Sequence, residues 1–467
     1  MPSDGPASSP SSLTVPDVVK VQGPPGLAGR ITRADVAIKD LGKCNFASPV
    51  ATHLGETAMH YVGEADKVLV NDVLSQVGAH ALADLPAFEL AGPRNKIFFD
   101  PRTVRCGIVT CGGLCPGLNN VVRGLVLEMA GGYGVRHIMG FRYGYEGMVS
   151  RLGQAPLHLT PQSVAHIHHE GGTILGSSRG SQNPSEVVDN LQAWGINVLF
   201  VVGGDGTIRG AMQLTAEIAR RGAAIAVVGV PKTIDNDIHF IDRSFGFESA
   251  FSAAVEVIRA ARVEATGARN GIGLVKLMGR HSGFVACYAA LASTDVDLVL
   301  IPEVPAHLEG ERGVYRCLER VLDRQGHAVV VVAEGAAQEL IADAERSELS
   351  DKSGNARLKD VGVFLRDRIT NHFKSAGREV TLKYIDPSYT IRSVPASPSD
   401  SVFCWNMARN AVHAAMAGNT EMLIGRWHGR FVHVPMELAT RSQKRVDPTD
   451  DLWMSVIEAT GQPKAFV

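Results

Sequence analysis

The sequence lacks any uninterrupted apolar stretch long enough to span a bilayer, which argues against a helical membrane anchor. It also lacks a basic run. Lys and Arg total 46 against 48 Asp and Glu, for a formal net charge of -2, so nucleic acid is not an expected partner. Any site for an anionic ligand must then be a local cluster of cations. Cysteine is sparse and odd in number, at seven in 467 residues, and no secretory leader is evident. Both features point to a reducing compartment rather than a disulfide framework. Cys111 and Cys115 lack a second pair of thiols and make a poor zinc site. No short internal repeat is present.

A chain of 467 residues exceeds one ordinary hydrophobic core, so at least two lobes are expected. Its 49 glycines gather in short loops, as ligand loops on an α/β scaffold do. Residues 1–26 are rich in Ser and Pro, read as disordered, and lack an Arg-rich amphipathic pattern. Residues 1–95 form an N-terminal extension with helical hints over 65–85. From Val104 onward, short apolar runs alternate with helical periods, the pattern of two Rossmann-like α/β lobes with mainly parallel sheets. The expected lobes are 96–235, completed by about 405–467, and 236–404. The chain crosses near 235–240 and returns near 400.

Four loops fall at strand ends, where open α/β sheets collect ligands. Cys111–Gly117 offers glycine backbone N–H groups and a helix start to a phosphate. Gly171–Gly180 adds Arg179, whose guanidinium suits bidentate grip of a phosphate. Gly203–Thr207 follows a strand, and Asp205 is its sole carboxylate, fit for Mg²⁺ or for capping the next helix. Pro231–Asp237 sets Asp235 and Asp237 beside Lys232 and Thr233, which suits proton abstraction next to an anion, or a polar turn. Met278, Gly279 and Arg280, then Glu334, then the segment Tyr384–Arg392 close strands of the second lobe. Arg280 and Arg392 with Glu334 as acceptor suggest a pocket for a phosphorylated sugar. His166, His168 and His169 mix the faces of a helix and read as a solvated helix end.

In this order, the phrases GIVTCGGLCPGLN, GGTILGSSRG, VVGVPKTIDNDI, VKLMGRHSGF, KYIDPSYTIR and AVHAAMAG resemble the phosphofructokinase family. The likeness runs from about Arg94 onward and is nearest the plant-type ATP-dependent branch shared with trypanosomatid enzymes. It implies an allosteric, homotetrameric, cytoplasmic or plastidic kinase of glycolysis. Such a kinase moves a phosphoryl group from ATP to the 1-hydroxyl of fructose 6-phosphate with Mg²⁺.

Residue by residue, the resemblance implies ATP contacts at Gly113, Arg179, Gly180, Gly204, Asp205, Gly206 and Thr207, with Mg²⁺ on Asp205. It makes Asp235 the catalytic base. It implies sugar-phosphate contacts at Thr233, Ile234, Asp235, Met278, Gly279, Arg280, Glu334, Tyr389, Thr390, Ile391 and Arg392. Bacterial relatives carry an intersubunit Arg where this chain has Gly271.

A pyrophosphate-dependent phosphofructokinase is the alternative, because Lys232 resembles that branch. Gly206 points to ATP, because the pyrophosphate users carry Asp there. NAD and lipid kinases share GGDGT-type loops but not the other segments. A catalytically silent regulatory subunit would not be expected to keep both Asp205 and Asp235.

Overall fold

The computed structural model describes residues 21–22, 30–50, 61–77, 80–149, 155–342 and 358–467. Apart from 21–22, the segment expected to be disordered lies outside them.

Eleven strands build two sheets. In chain order they are β1 (Arg105–Thr110), β2 (His137–Phe141), β3 (Leu157–His158), β4 (Val198–Gly203) and β5 (Ala226–Pro231). Then come β6 (Gly271–Leu277), β7 (Leu298–Leu300), β8 (His327–Ala333) and β9 (Thr381–Ile385). The last two are β10 (Met422–Trp427) and β11 (Arg430–Pro435). The first sheet has the order β3-β2-β1-β4-β5-β10-β11, parallel from β2 to β10 with an antiparallel strand at each edge. The second has the order β7-β8-β6-β9 and is wholly parallel.

Every residue of β4, β5 and β6 is buried, and so is β8 after its first residue. That explains their continuous apolar texture: helices cover both faces of a parallel sheet, so no face is free to alternate with polar residues. Helices Leu118–Leu127 and Pro398–Met416 pack together and bury Val121, Leu125, Met407 and Ala411 with the interior face of the first sheet. Helix Phe247–Thr266 covers the second sheet and contributes Ala254, Ile258 and Ala261 to its core.

The chain passes from the first sheet to the second between β5 and Gly246, whose positive φ of 82° places it against Cys115 with no room for a Cβ. It comes back at Asp400, a buried carboxylate that accepts the Ser249 N–H at 2.8 Å and the Ser249 hydroxyl at 2.6 Å. Strands β10 and β11 then complete the first sheet.

Two expectations need correction. The C-terminal stretch does not stay with the first sheet: helix Asp451–Thr460 buries Trp453 and Val456 in the core of the second lobe. Gln462 there binds both the N–H and the carbonyl of Val299. A large apolar tryptophan must be covered, and the second sheet provides the cover. The helical hints over 65–85 resolve into the strand pair Lys67–Leu69 and Ala87–Glu89, joined through a single turn of helix, Leu74–Val77, and a 3-10 turn. This pair docks on β11 through a bridge between Leu90 and Val432. Phe88 is fully buried, its ring centroid 5.1 Å from that of Phe240, which lies 5.3 Å from Trp427.

Candidate active site

Both glycine loops of the first sheet are tied together before any ligand arrives. The Gly112 N–H donates to Ser178 O at 3.0 Å, and the Ser177 hydroxyl donates to Gly112 O at 2.6 Å. Gly112 has φ of 84° and Gly117 φ of 95°, conformations that a side chain would strain. Gly117 also caps helix Leu118–Leu127, whose dipole makes that end electropositive.

Three cations converge on this turn. Lys232 Nζ donates to Gly113 O at 2.6 Å. A Cβ built on Gly113 would meet Arg179 Nη2 and Arg392 Nη1, each at 3.7 Å. Burial pushes the Lys232 ammonium below its ordinary pKa, and Arg179 adds to that push. Gathered positive charge in a partly dry site is what a phosphoryl group neutralises.

The third loop opens a helix. Gly204 caps it and Asp205 is its first residue, so the turn both ends β4 and starts helix Asp205–Arg220. Asp205 remains partly exposed and receives Arg209 Nε at 2.9 Å. Arg209 also reaches the carbonyl of Thr440. Nothing lies within 4 Å of a Cβ placed on Gly206, so its side faces open space. Thr207 is buried and its carbonyl accepts the Tyr145 hydroxyl at 2.8 Å.

The fourth loop carries the carboxylates. The Thr233 hydroxyl donates to Asp237 Oδ1 at 2.7 Å and accepts the Asp235 N–H at 3.1 Å. Asn236, between the two acids, sits in the left-handed region at φ of 54°. Asp235 Oδ1 is buried with no partner among the described residues. Burial raises the Asp235 pKa well above the ordinary carboxylate value, and the neighbouring Asp237 and Glu334 raise it further. A carboxylate whose pKa is raised this way marks a candidate functional site.

The second sheet supplies the opposite wall. Gly279 has φ of 133°, and a Cβ there would strike Ser282 O at 2.5 Å. Gly335 lies against the Arg280 carbonyl. Glu334 at the end of β8 is raised by burial, while Arg280, Lys276 and Arg392 pull it down. The strand-end carboxylate therefore lies among three cations.

The arrangement departs from the reading of single residues in three places. Ile391 is fully buried in the second core and Ile234 is 6% exposed in the first, so neither side chain faces a ligand. Each is apolar and sits where the chain turns inward, leaving only backbone for contact. Tyr389 and Thr390 are exposed, and the Tyr389 ring lies 4.6 Å beneath the Arg392 guanidinium. Arg392, read as a group of the second lobe, reaches the glycine turn of the first. Helix Ser388–Ser393 follows β9, and Gly171 of the first lobe abuts the Ser393 carbonyl.

Sequence reasoning missed Lys276. It lies in β6 and pairs with Asp360 Oδ2 at 3.0 Å and Asp386 Oδ2 at 2.8 Å. The signal was available: a lysine within the run Gly271–Leu277 is rare unless paired. Tyr384, whose hydroxyl donates to Asp360 Oδ1 at 3.0 Å and is pushed up to about 12, chiefly by burial, completes that cluster.

The comparisons with known proteins agree with this geometry. The phosphofructokinase family model matches residues 105–415. An ATP-dependent 6-phosphofructokinase of Amycolatopsis methanolica is 52% identical over 440 residues, covering 92% of this chain and 96% of its own length. One of Trypanosoma brucei brucei is 42% identical over 437 residues, covering 92% and 88%. Among solved structures, a pyrophosphate-dependent phosphofructokinase of Marinobacter aquaeolei aligns with a TM-score of 0.62 at 18% identity, over 78% of this chain and 92% of its own. At that identity the likeness carries the fold alone. The family model over most of the chain and relatives matched over nearly their whole length place this chain in the phosphofructokinase family.

Proposed function

We propose that the chain is an ATP-dependent 6-phosphofructokinase, which phosphorylates the 1-hydroxyl of fructose 6-phosphate. The observation that carries this reading is the convergence of Lys232, Arg179 and Arg392 on Gly112 and Gly113, with Asp235 on the same loop as Lys232. The nucleotide lies over Gly113, Arg179, Gly180 and Gly204–Thr207. The sugar phosphate lies toward Thr233, Met278–Arg280, Glu334 and Arg392. Asp235 accepts the proton of the attacking hydroxyl, while the three cations hold the transferred group and screen its charge.

The site suits a magnesium ion. Asp205 offers a partly exposed hard oxygen, and among the described residues no group of three or more His, Cys, Asp or Glu side chains is arranged to hold a metal by itself. Asp205 would hold such a dication, with phosphates and water supplying the other ligands that Mg²⁺ favours. When bound, it neutralises phosphate charge; Arg209 and the helix start orient the Asp205 carboxylate.

ATP rather than pyrophosphate is supported by the open space at Gly206, which leaves room for an α-phosphate. Relatives 42–52% identical are named as ATP-dependent enzymes. The active form is a homo-oligomer, a tetramer, in keeping with the closed symmetry usual for such enzymes. The free cysteines fit a cytoplasmic setting. The deciding experiment compares ATP with pyrophosphate as donor to fructose 6-phosphate, using the purified chain alone, with light scattering for its size. Turnover with ATP and little with pyrophosphate is expected. Turnover with pyrophosphate alone would overturn the reading.

A further inference from the structure

The loop from Thr233 to Ser244 belongs to no helix or long strand, yet it must aim two carboxylates. Its sharpest feature is Asn236, left-handed at φ of 54°, which turns the chain between Asp235 and Asp237. An asparagine holds that conformation when its side chain bonds locally. Here Asn236 Nδ2 donates to Asp242 O at 3.2 Å and Asn236 Oδ1 accepts the Ser244 N–H at 3.0 Å. The angle between the two acids therefore depends on where the carbonyl of Asp242 stands.

That carbonyl is fixed from outside the loop. Lys444, on the segment returning to the second lobe, donates from Nζ to Ile241 O at 2.7 Å and to Asp242 O at 3.3 Å. Its own N–H donates to Asp237 O at 2.9 Å, and Gln443 bridges to Ile238. One residue thus binds the loop directly after the second carboxylate and again at Ile241 and Asp242. The ammonium lies 5.0 Å from the Phe284 ring centroid, on the second lobe. Burial lowers the lysine to about 8, against the pull of Asp242 and Asp237. Nearby His239 drops to about 4, chiefly by burial and also by the lysine charge, against a hydrogen bond with the Gln443 backbone.

We propose that Lys444 is a positioning residue for phosphoryl transfer, holding the Asp235–Asp237 turn in register through the carbonyl it shares with Asn236. It touches neither nucleotide nor sugar in this role. The inference rests on the proposed kinase reading. It adds a residue from the C-terminal segment to the groups that set turnover.

The test uses full-length wild type, Lys444→Met, Lys444→Arg, Asn236→Asp and the double variant Lys444→Met/Asn236→Asp. Steady-state kinetics with ATP and fructose 6-phosphate are measured beside thermal melts and oligomer size. Lys444→Met is expected to lower kcat by about ten-fold or more while leaving both KM values within about two-fold, since slight misplacement of a reacting group costs rate before binding. Lys444→Arg, which keeps charge and donors, recovers most of the loss. Asn236→Asp removes the donor to Asp242 O, lowers kcat similarly, and combines with Lys444→Met less than additively, because both act through one carbonyl. A Lys444→Met enzyme with wild-type kcat overturns the proposal, as do additive losses or a loss lying in KM alone. If Lys444→Met does not fold, Lys444→Arg and Asn236→Asp decide: wild-type kcat in Asn236→Asp overturns it. A wild-type chain inactive with these substrates refutes the kinase reading instead.

Discussion

Replacing Gly206 by Asp separates the fold from the donor site. Gly206 is the second residue of helix Asp205–Arg220, exposed, with no atom of the described residues beyond its own helical turn within 4 Å of where its Cβ would stand. The substitution therefore costs no packing. A carboxylate in the first turn gains about 0.3–1 kcal/mol from the helix dipole, and glycine is a poor helix residue to begin with. The free protein should melt at the same temperature or slightly higher. Toward ATP the sign reverses. A carboxylate about 4 Å from a phosphate repels it by ~4 kcal/mol at an effective dielectric constant of about 20, and roughly half of that if a bound dication shares the charge. Expressed as rate, kcat/KM for ATP should fall between about 30-fold and 10³-fold. Fructose 6-phosphate affinity, measured by calorimetry without nucleotide, should stay unchanged. The three readings together make the test strict. An enzyme within a few-fold of wild type on ATP would show that no phosphate passes Gly206. A lowered melting temperature would show that the space at Gly206 is not open.

Asp235→Asn should cut turnover by about 10²–10⁴-fold in steady-state assays while leaving substrate binding largely intact. The same variant should melt higher at neutral pH. The Asp235 pKa is raised in the folded state, so stability falls as pH climbs from the unfolded value to the folded one, and asparagine abolishes that fall. A melting temperature equally pH-dependent in both proteins would refute the second part. Arg280→Ala should weaken fructose 6-phosphate binding by about 1.5–3 kcal/mol with ATP spared. Arg392→Ala should weaken both ligands, because its guanidinium also reaches the Gly113 turn; titration of each ligand distinguishes them. Phe88→Ala, which empties a fully buried site against Phe240, should cost about 3–5 kcal/mol in denaturant unfolding and also depress kcat, since Phe240 belongs to the loop that carries Asp235. A stability loss without a kinetic effect would uncouple the extension from the site.

The sheets were legible because buried parallel strands leave long apolar runs: β6 and β8 begin and end where Gly271–Leu277 and His327–Ala333 predict. The glycine loops were legible because glycine spacing and strand ends coincide. Other features depend on tertiary partners that no local pattern encodes. The extension reads as weakly helical, yet its strands are held by pairing with each other and by the edge of β11. Helix Asp451–Thr460 shows no sign of which sheet it joins, because burial of Trp453 is decided by shape at a distance. Ile234 and Ile391 lie within motifs rich in ligand groups, and only side-chain direction shows them to be core. Lys276 and Lys444 each stand far in sequence from the carboxylates and carbonyls they serve.

The discontinuity of the first sheet has a consequence for how the molecule is made. Strand β5 takes its parallel neighbour β10 from beyond all four strands of the second sheet. During synthesis, β5 leaves the ribosome with one flank bare, and every residue of that strand is apolar or glycine. The second sheet draws all four of its strands from one continuous stretch and can close first. Its closure brings the ends of the intervening segment together, so that β10 docks against a nearby edge rather than across a long loose loop. Until then the unpaired edge of β5 is the surface most open to association with other nascent chains. Chains halted before Met422 should therefore aggregate or occupy chaperones more than the full-length chain does.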